Sequence, residues 1–279
     1  MINELSLFSG YGGLTLGLRL AQINVRTVAY VEWEPYCQEI IKARIRDQRE
    51  GRFGLDDAPI FSDISSFRGE QFRGVVDIIT AGFPCQPHSV AGLQRGDTDE
   101  RNKWPDTLRV IREVEPRWVI LENVPGLLSS SSDGGTPAYG GTVTGELAQV
   151  GYSVHWQTIG ADDVGAPHRR KRWFCIAELA DSDGQRGRCW DTTGQYAEDV
   201  GQPSTFEGDY PKWPPGPSDT DRWERILGER PDLQPALTKD SLTAICGVAD
   251  GATHRVDRLK ACGNGVLPSV VAAFLRGLR

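Results

Sequence analysis

Apolar, strand-like runs in the first half of the chain end, one after another, in residues suited to touching a ligand. Glu4 to Phe8 runs into Ser9-Gly10-Tyr11-Gly12-Gly13, and Val25 to Val31 is closed by Glu32. Ile60 to Ile64 carries Asp63, Val75 to Thr80 feeds a glycine-proline loop, and Trp118 to Leu121 is closed by Glu122. Helical patterns separate these runs: Leu14 to Ile23, Pro35 to Arg46 and Trp104 to Val114. Strands alternating with helices predict an α/β fold with a doubly wound, mostly parallel sheet. Such sheets bind ligands outside the carboxyl ends of their strands, which is where the acids and glycines fall.

The glycine-proline loop is Ala81-Gly82-Phe83-Pro84-Cys85-Gln86-Pro87. Gly82 permits a turn that a Cβ resists, and Pro84 pushes Phe83 toward an extended backbone. Cys85 then sits on a stiff loop just past a strand, the position of a nucleophile; a buried structural cysteine is the plainer reading. The turn Gly10-x-Gly12-Gly13-x-x-x-Gly17 aims helix N-terminal amides at a ligand but lacks the dinucleotide spacing. Glu32, about 20 residues on, is placed to meet ribose hydroxyls. Trp33 is suited to a purine face or to packing, and Asp63 to an exocyclic amine or to capping the next turn. Val90 to Asn102 has the polar composition of a lid.

At 279 residues the chain is long enough for one large α/β domain and a smaller one. No apolar run approaches a membrane span, and Met1 to Leu7 carries no export signal, so a cytoplasmic protein is expected. The six cysteines are scattered without a C-x-x-C pair, which argues against a zinc knuckle and against a disulfide framework. Net charge is −7, mildly adverse to a nucleic-acid partner, yet His168-Arg169-Arg170-Lys171-Arg172 concentrates four cations. Beyond Glu178 the composition turns to Gly, Asp, Thr and Pro, with recurring tryptophans and a short helix over Asp221 to Leu227. The chain divides into 1–178 as core domain, 179–252 as a loop-rich second domain, and 253–279 as a segment returning to the core through a helix over Pro268 to Leu278.

In this order the motifs resemble the DNA (cytosine-5)-methyltransferases of bacterial and phage type. Phe8 to Gly13 resembles that family's cofactor motif, Gly82-Phe83-Pro84-Cys85-Gln86 its nucleophile loop, Glu122-Asn123-Val124 its ENV motif, and Gly263-Asn264-Gly265-Val266 its closing motif. Gly165 to Arg172 is similar to its G-V-P-Q-x-R-x-R stretch, with His168 in place of the usual Gln. The resemblance covers about 1–178 and 255–279. It implies the S-adenosylmethionine-dependent methyltransferase fold and transfer of a methyl group from S-adenosylmethionine to cytosine C5, leaving S-adenosylhomocysteine. By that resemblance Cys85, Glu122, Arg170 and Arg172 are catalytic. Cofactor contacts fall to Phe8, Ser9, Gly10, Gly12, Gly13, Leu14, Glu32, Trp33, Asp63, Ile64, Gly82, Pro84, Asn264 and Val266. The flipped base and its surroundings fall to Phe83, Gln86, Ser89, Asn123, Val124 and His168. No metal is required. The implied partner is double-stranded DNA, with 179–252 choosing the sequence, a monomer in solution, and a cognate restriction endonuclease acting separately. A tRNA cytosine-5 methyltransferase, a silent cofactor-binding regulator and a nicotinamide oxidoreductase stay open as alternatives.

Overall fold

The computed structural model describes residues 1–84, 102–129, 138–166, 168–180, 215, 219–229 and 263–278. Among these, seven strands form one sheet: β1 (Ile2–Leu7), β2 (Val25–Val31), β3 (Ile60–Phe61), β4 (Ile78–Ala81), β5 (Trp118–Asn123), β6 (Tyr152–Ile159) and β7 (Arg172–Leu179). The helices are α1 (Gly13–Leu20), α2 (Pro35–Arg49), α3 (Trp104–Val114), α4 (Tyr139–Gln149), α5 (Thr220–Glu229) and α6 (Pro268–Gly277). The sheet order is β3-β2-β1-β4-β5-β7-β6. Strands β1 to β5 pair in parallel, and β7 runs antiparallel to both β5 and β6. This is the expected α/β architecture, a mostly parallel sheet of the S-adenosylmethionine-dependent methyltransferase type.

Both faces of the sheet are covered, which is why its central strands read as unbroken apolar runs. Leu5, Leu7, Ile79, Ala81, Val119 and Leu121 pack on one face with Leu108 and Ile111 of α3 and Val143 and Leu147 of α4. Ile78, Ile120, Phe174 and Ile176 pack on the other with Leu14 and Leu18 of α1 and Val271, Phe274 and Leu275 of α6. Odd and even positions of one strand thus serve different layers, as a period of two requires. Gly17 lets α1 and α6 approach closely, because a Cβ there would come within 2.4 Å of Val271 Cβ.

The sheet reverses direction of winding between β1 and β4, so the glycine turn after β1 and the loop after β4 stand side by side. That crevice is the ligand position of an open α/β sheet.

Three local expectations are corrected. Val75 is half exposed and precedes the strand, which starts at Ile78. The third strand stops at Phe61, short of Asp63. Helix α4 begins at Tyr139, although the run Leu127 to Gly141, rich in Ser and Gly, reads as a loop in the sequence. Gly140 is there for packing: a Cβ would meet Leu127 Cδ2 at 2.7 Å. Between 181 and 262, residues 215 and 219–229 are described; α5 covers the helix expected over Asp221 to Leu227, and Asp219 Oδ1 accepts from Arg222 N at 3.4 Å.

Candidate active site

A cavity of about 940 Å³ lies along the carboxyl ends of β1, β2, β4 and β5. At one end are Phe8, Ser9, Gly10, Glu32, Trp33, Asp63 and Ile64; at the other, Gly82, Phe83, Pro84, Glu122, Asn123, Val124 and Arg172. Gly13, Leu14, Asn264 and Val266 complete the expected lining. Its volume is that of a site for a drug-sized ligand.

The glycine turn is shaped by its hydrogen bonds. Phe8, Gly10 and Gly12 have φ of 51°, 56° and 84°. Gly10 N donates to Glu32 Oε2 at 2.7 Å, and Glu34 N donates to Glu32 Oε1 at 2.7 Å. The two turns after β1 and β2 are therefore tied together through one buried carboxylate. Ser9 Oγ donates to the Ser6 carbonyl at 2.9 Å. Gly13 lies under the closing motif: a Cβ would come within 2.5 Å of the Val266 carbonyl oxygen. Gly12 differs from expectation. It is not among the described lining residues, and a Cβ there would meet Leu55 Cδ1 at 2.7 Å, so it serves packing.

These residues fit S-adenosylmethionine. Trp33 is 70% exposed and presents a large ring to the cavity, as an adenine platform needs. Glu32, next to it in the chain, adds a carboxylate to the same lining. Asp63 unites its two sequence readings: Oδ1 accepts from Ser65 N at 2.9 Å, which caps the turn, and the residue also lines the cavity.

The other end is built by strand pairing. In the β5–β7 register Glu122 faces Phe174, which makes Arg172 its diagonal neighbour on the same side of the sheet. Arg172 Nε lies 2.8 Å from Glu122 Oε1, and both side chains are largely buried. Burial pushes the Glu122 carboxyl up to about 7, against the opposing pull of Arg172 and Arg170. Gly82 keeps the space open, since a Cβ there would stand 3.3 Å from Glu122 Oε2.

The base of the nucleophile loop is fixed by the ENV motif. Asn123 Nδ2 donates to the Phe83 carbonyl at 3.1 Å, and Asn123 Oδ1 accepts from Val124 N at 2.8 Å. The Phe83 ring packs on Trp104 at 5.4 Å. Cys85, Gln86 and Ser89 lie outside the described residues.

Two residues singled out by the resemblance, His168 and Arg170, are not among the described lining residues. His168 is exposed. Arg170, expected on phosphate or ring, donates from Nη2 to the Gly263 carbonyl at 2.8 Å and to the Gly265 carbonyl. Tyr11 was missed in the sequence, where it is only a spacer between glycines; its hydroxyl donates to the Val266 carbonyl at 2.5 Å. Lys103 and Tyr36 also line the cavity and carry no motif signal. No cluster of His, Cys, Asp or Glu among the described residues is arranged to hold a metal, and no described helix is long and apolar enough to cross a membrane.

Comparison with known proteins agrees with this geometry. Residues 2–240 match the family described as C-5 cytosine-specific DNA methylase. The type II methyltransferase M.CviJI of Paramecium bursaria Chlorella virus IL3A is 34% identical over 175 residues, covering 62% of this chain and 42% of that protein. M.NgoMIV of Neisseria gonorrhoeae is 32% identical over 174 residues, covering 62% of this chain and 51% of that one. The matched stretch thus spans about half the length of these relatives. Crystal structures of a Spodoptera frugiperda DNMT2 mutant (TM-score 0.60, 14% identity, 99% of each chain) and of S. pombe Dnmt2 methyltransferase (TM-score 0.57, 17% identity, 100% of this chain and 98% of that one) share the fold. With a family match over most of its length and the ENV carboxylate paired to the arginine of the basic strand, the chain belongs to the C-5 cytosine-specific DNA methylases.

Proposed function

We propose that the protein transfers a methyl group from S-adenosylmethionine to C5 of a cytosine flipped out of double-stranded DNA. The observation that carries this reading is the Glu122–Arg172 pair, held beside the Phe83 loop with the carboxyl poised near neutrality. Cytosine C5 is a weak nucleophile, and a thiolate adding to C6 turns the ring into an enamine. Cys85 is that thiolate. A protonated Glu122 donates to cytosine N3 as charge builds there, and Arg172 supplies a donor for O2. Bound there, S-adenosylmethionine would supply the methyl to C5 and leave as S-adenosylhomocysteine; loss of the C5 proton to water would then let the C6–sulfur bond break and return the Cys85 thiolate. The base has to leave the duplex for C6 to be reached.

Trp33, Glu32 and Asp63 hold the cofactor's adenosine, and Phe83 and Asn123 hold the loop that presents the thiol. Residues 179–252 act as a target-recognition domain, and 1–178 with 253–279 as the catalytic body of a monomeric, cytoplasmic enzyme. The name type II methyltransferase borne by the relatives supports a cognate restriction endonuclease acting separately.

The test is methylation of duplex DNA by the purified protein with labelled S-adenosylmethionine, mapped by bisulfite sequencing. Methylcytosine at one sequence, lost in Cys85→Ser, is the expected result. Label entering RNA but not duplex DNA would sink the substrate assignment.

A further inference from the structure

The stretch Gly263–Val266, which leads into α6, is gripped from two sides. From the turn after β1, the Tyr11 ring fills the space where a Gly265 Cβ would stand, 1.9 Å from Cε1, and its hydroxyl bonds the Val266 carbonyl. From the approach to β7, Arg170 Nη2 bonds the carbonyls of Gly263 and Gly265. Arg170 itself has φ of 23°, unusual for a residue with a Cβ, and such positions persist where surrounding contacts hold them.

The gripped residues are part of the cavity wall. Tyr11, Gly263, Asn264, Gly265 and Val266 line it together with Glu122 and Arg172. Arg170, by contrast, is not among the described lining residues, and its guanidinium is turned to backbone carbonyls. Its charge still reaches Glu122 and draws that carboxyl downward against burial. One side chain thus touches the loop at the cofactor end and biases the acid at the other end.

We propose that Tyr11 and Arg170 are positioning residues that clamp the 263–266 loop onto the cofactor end of the cavity, so that cofactor binding depends on an arginine that contacts neither cofactor nor base. This rests on the reading of the cavity as an S-adenosylmethionine site. The planar guanidinium fixes the two N–H directions of Nη2, which a lysine ammonium does not reproduce, so Arg170→Lys keeps the charge and loosens the clamp. Tyr11→Phe keeps the ring against Gly265 and removes the hydroxyl that bonds Val266.

Calorimetry of S-adenosylhomocysteine binding to the full chain, without DNA, tests the clamp. Tyr11→Phe weakens binding about 3- to 10-fold, and Arg170→Lys about tenfold. Because both hold one loop, the double variant departs from the product of the single effects by more than about twofold. In methylation assays at saturating cofactor, the KM for DNA and its salt dependence stay as in the parent. Unchanged S-adenosylhomocysteine affinity in both single variants overturns the clamp, as does a strictly multiplicative double variant. So does an Arg170→Lys effect confined to DNA affinity, which marks a phosphate contact. Should Arg170→Lys lower the melting temperature too far for calorimetry, Tyr11→Phe alone decides by the same criterion. A parent protein that binds no S-adenosylhomocysteine refutes the proposed function instead, which keeps the two failures apart.

Discussion

Glu122 and Arg172 are 50 residues apart in the chain and 2.8 Å apart in space, and the carboxyl of this pair is pushed up to about 7. An exposed ion pair would hold a carboxylate well below its ordinary value. Here burial outweighs the guanidinium, because removing a carboxylate from water costs more than one partner returns. The outcome is an acid close to half protonated at physiological pH, the condition in which proton donation to a ring nitrogen is most effective.

Proton donation from Glu122 has a pH signature. With the protonated form active, the rate falls as pH rises through about 7, while the Cys85 thiolate fraction rises with pH. A bell-shaped kcat profile is expected, and Glu122→Gln removes its alkaline limb while leaving S-adenosylhomocysteine affinity within about twofold and slowing the chemical step by about 100-fold or more. Stopped-flow methylation across pH 5.5–9 reads this, in buffers of about constant ionic strength. A limb that survives in Glu122→Gln assigns the titration to another group.

The same carboxyl couples pH to stability. Its folded value lies above its ordinary one, so its contribution is fully present below pH 4.5 and is lost as pH rises through about 7. Over that window the wild type loses on the order of 3 kcal/mol from this group. Urea melts at pH 5 and pH 8 show the loss, and Glu122→Gln flattens it.

Glu4 makes a second pH-dependent contribution, of the same sign. It is fully buried in β1, where Thr15 and Thr80 donate to Oε1 at 3.0 and 2.7 Å and Thr27 donates to Oε2 at 2.7 Å. Burial raises its carboxyl above the ordinary value despite these three donors. Stability from Glu4 is therefore present at low pH and lost as pH rises through its elevated folded value. Glu4→Leu leaves three buried hydroxyls without this acceptor and costs about 1–3 kcal/mol per group left unsatisfied. Thermal melts measure it, with Glu4→Gln as the milder comparison.

The cofactor end responds to Glu32. Removing its carboxylate in Glu32→Ala frees the amides of Gly10 and Glu34 and takes away the proposed ribose contact. S-adenosylhomocysteine binding weakens by about 1.5–3 kcal/mol, while chemistry at saturating cofactor is nearly unchanged. Calorimetry with single-turnover kinetics separates the two, and a selective loss of chemistry would exchange the roles of Glu32 and Glu122.

Gly17→Ala tests the packing of α1 on α6. A methyl group 2.4 Å from Val271 Cβ and 3.0 Å from the Pro268 carbonyl has to be accommodated by moving one helix. A loss of about 1–3 kcal/mol is expected in urea melts.

Much of the fold was legible because buried parallel strands are written as short apolar runs with ligand-facing residues at their ends. Glu32, Asp63, Gly82 and Glu122 could be placed in this way, since each lies at or just past the carboxyl end of its strand. Pairings between distant strands leave no such mark. Nothing local says that Arg172 becomes the diagonal neighbour of Glu122; that follows from β7 entering the sheet antiparallel beside β5. The first turn of helix α4 was hidden because Gly140 reads as a loop residue, whereas here it answers to Leu127 across the interface. Tyr11 and Arg170 were legible as motif members but not as anchors, because their partners are backbone carbonyls of 263–266, which any residues could supply.

The bond between Tyr11 and Val266 spans 255 positions of sequence. The turn after β1 and the strip that roofs it meet only when α6 packs on α1. Leu14 and Leu18 of α1 take their apolar cover from Val271, Phe274 and Leu275 of α6. The cavity wall at Gly13 and Val266 is therefore only as firm as the seam between α1 and α6, and a change that loosens that seam also loosens the wall.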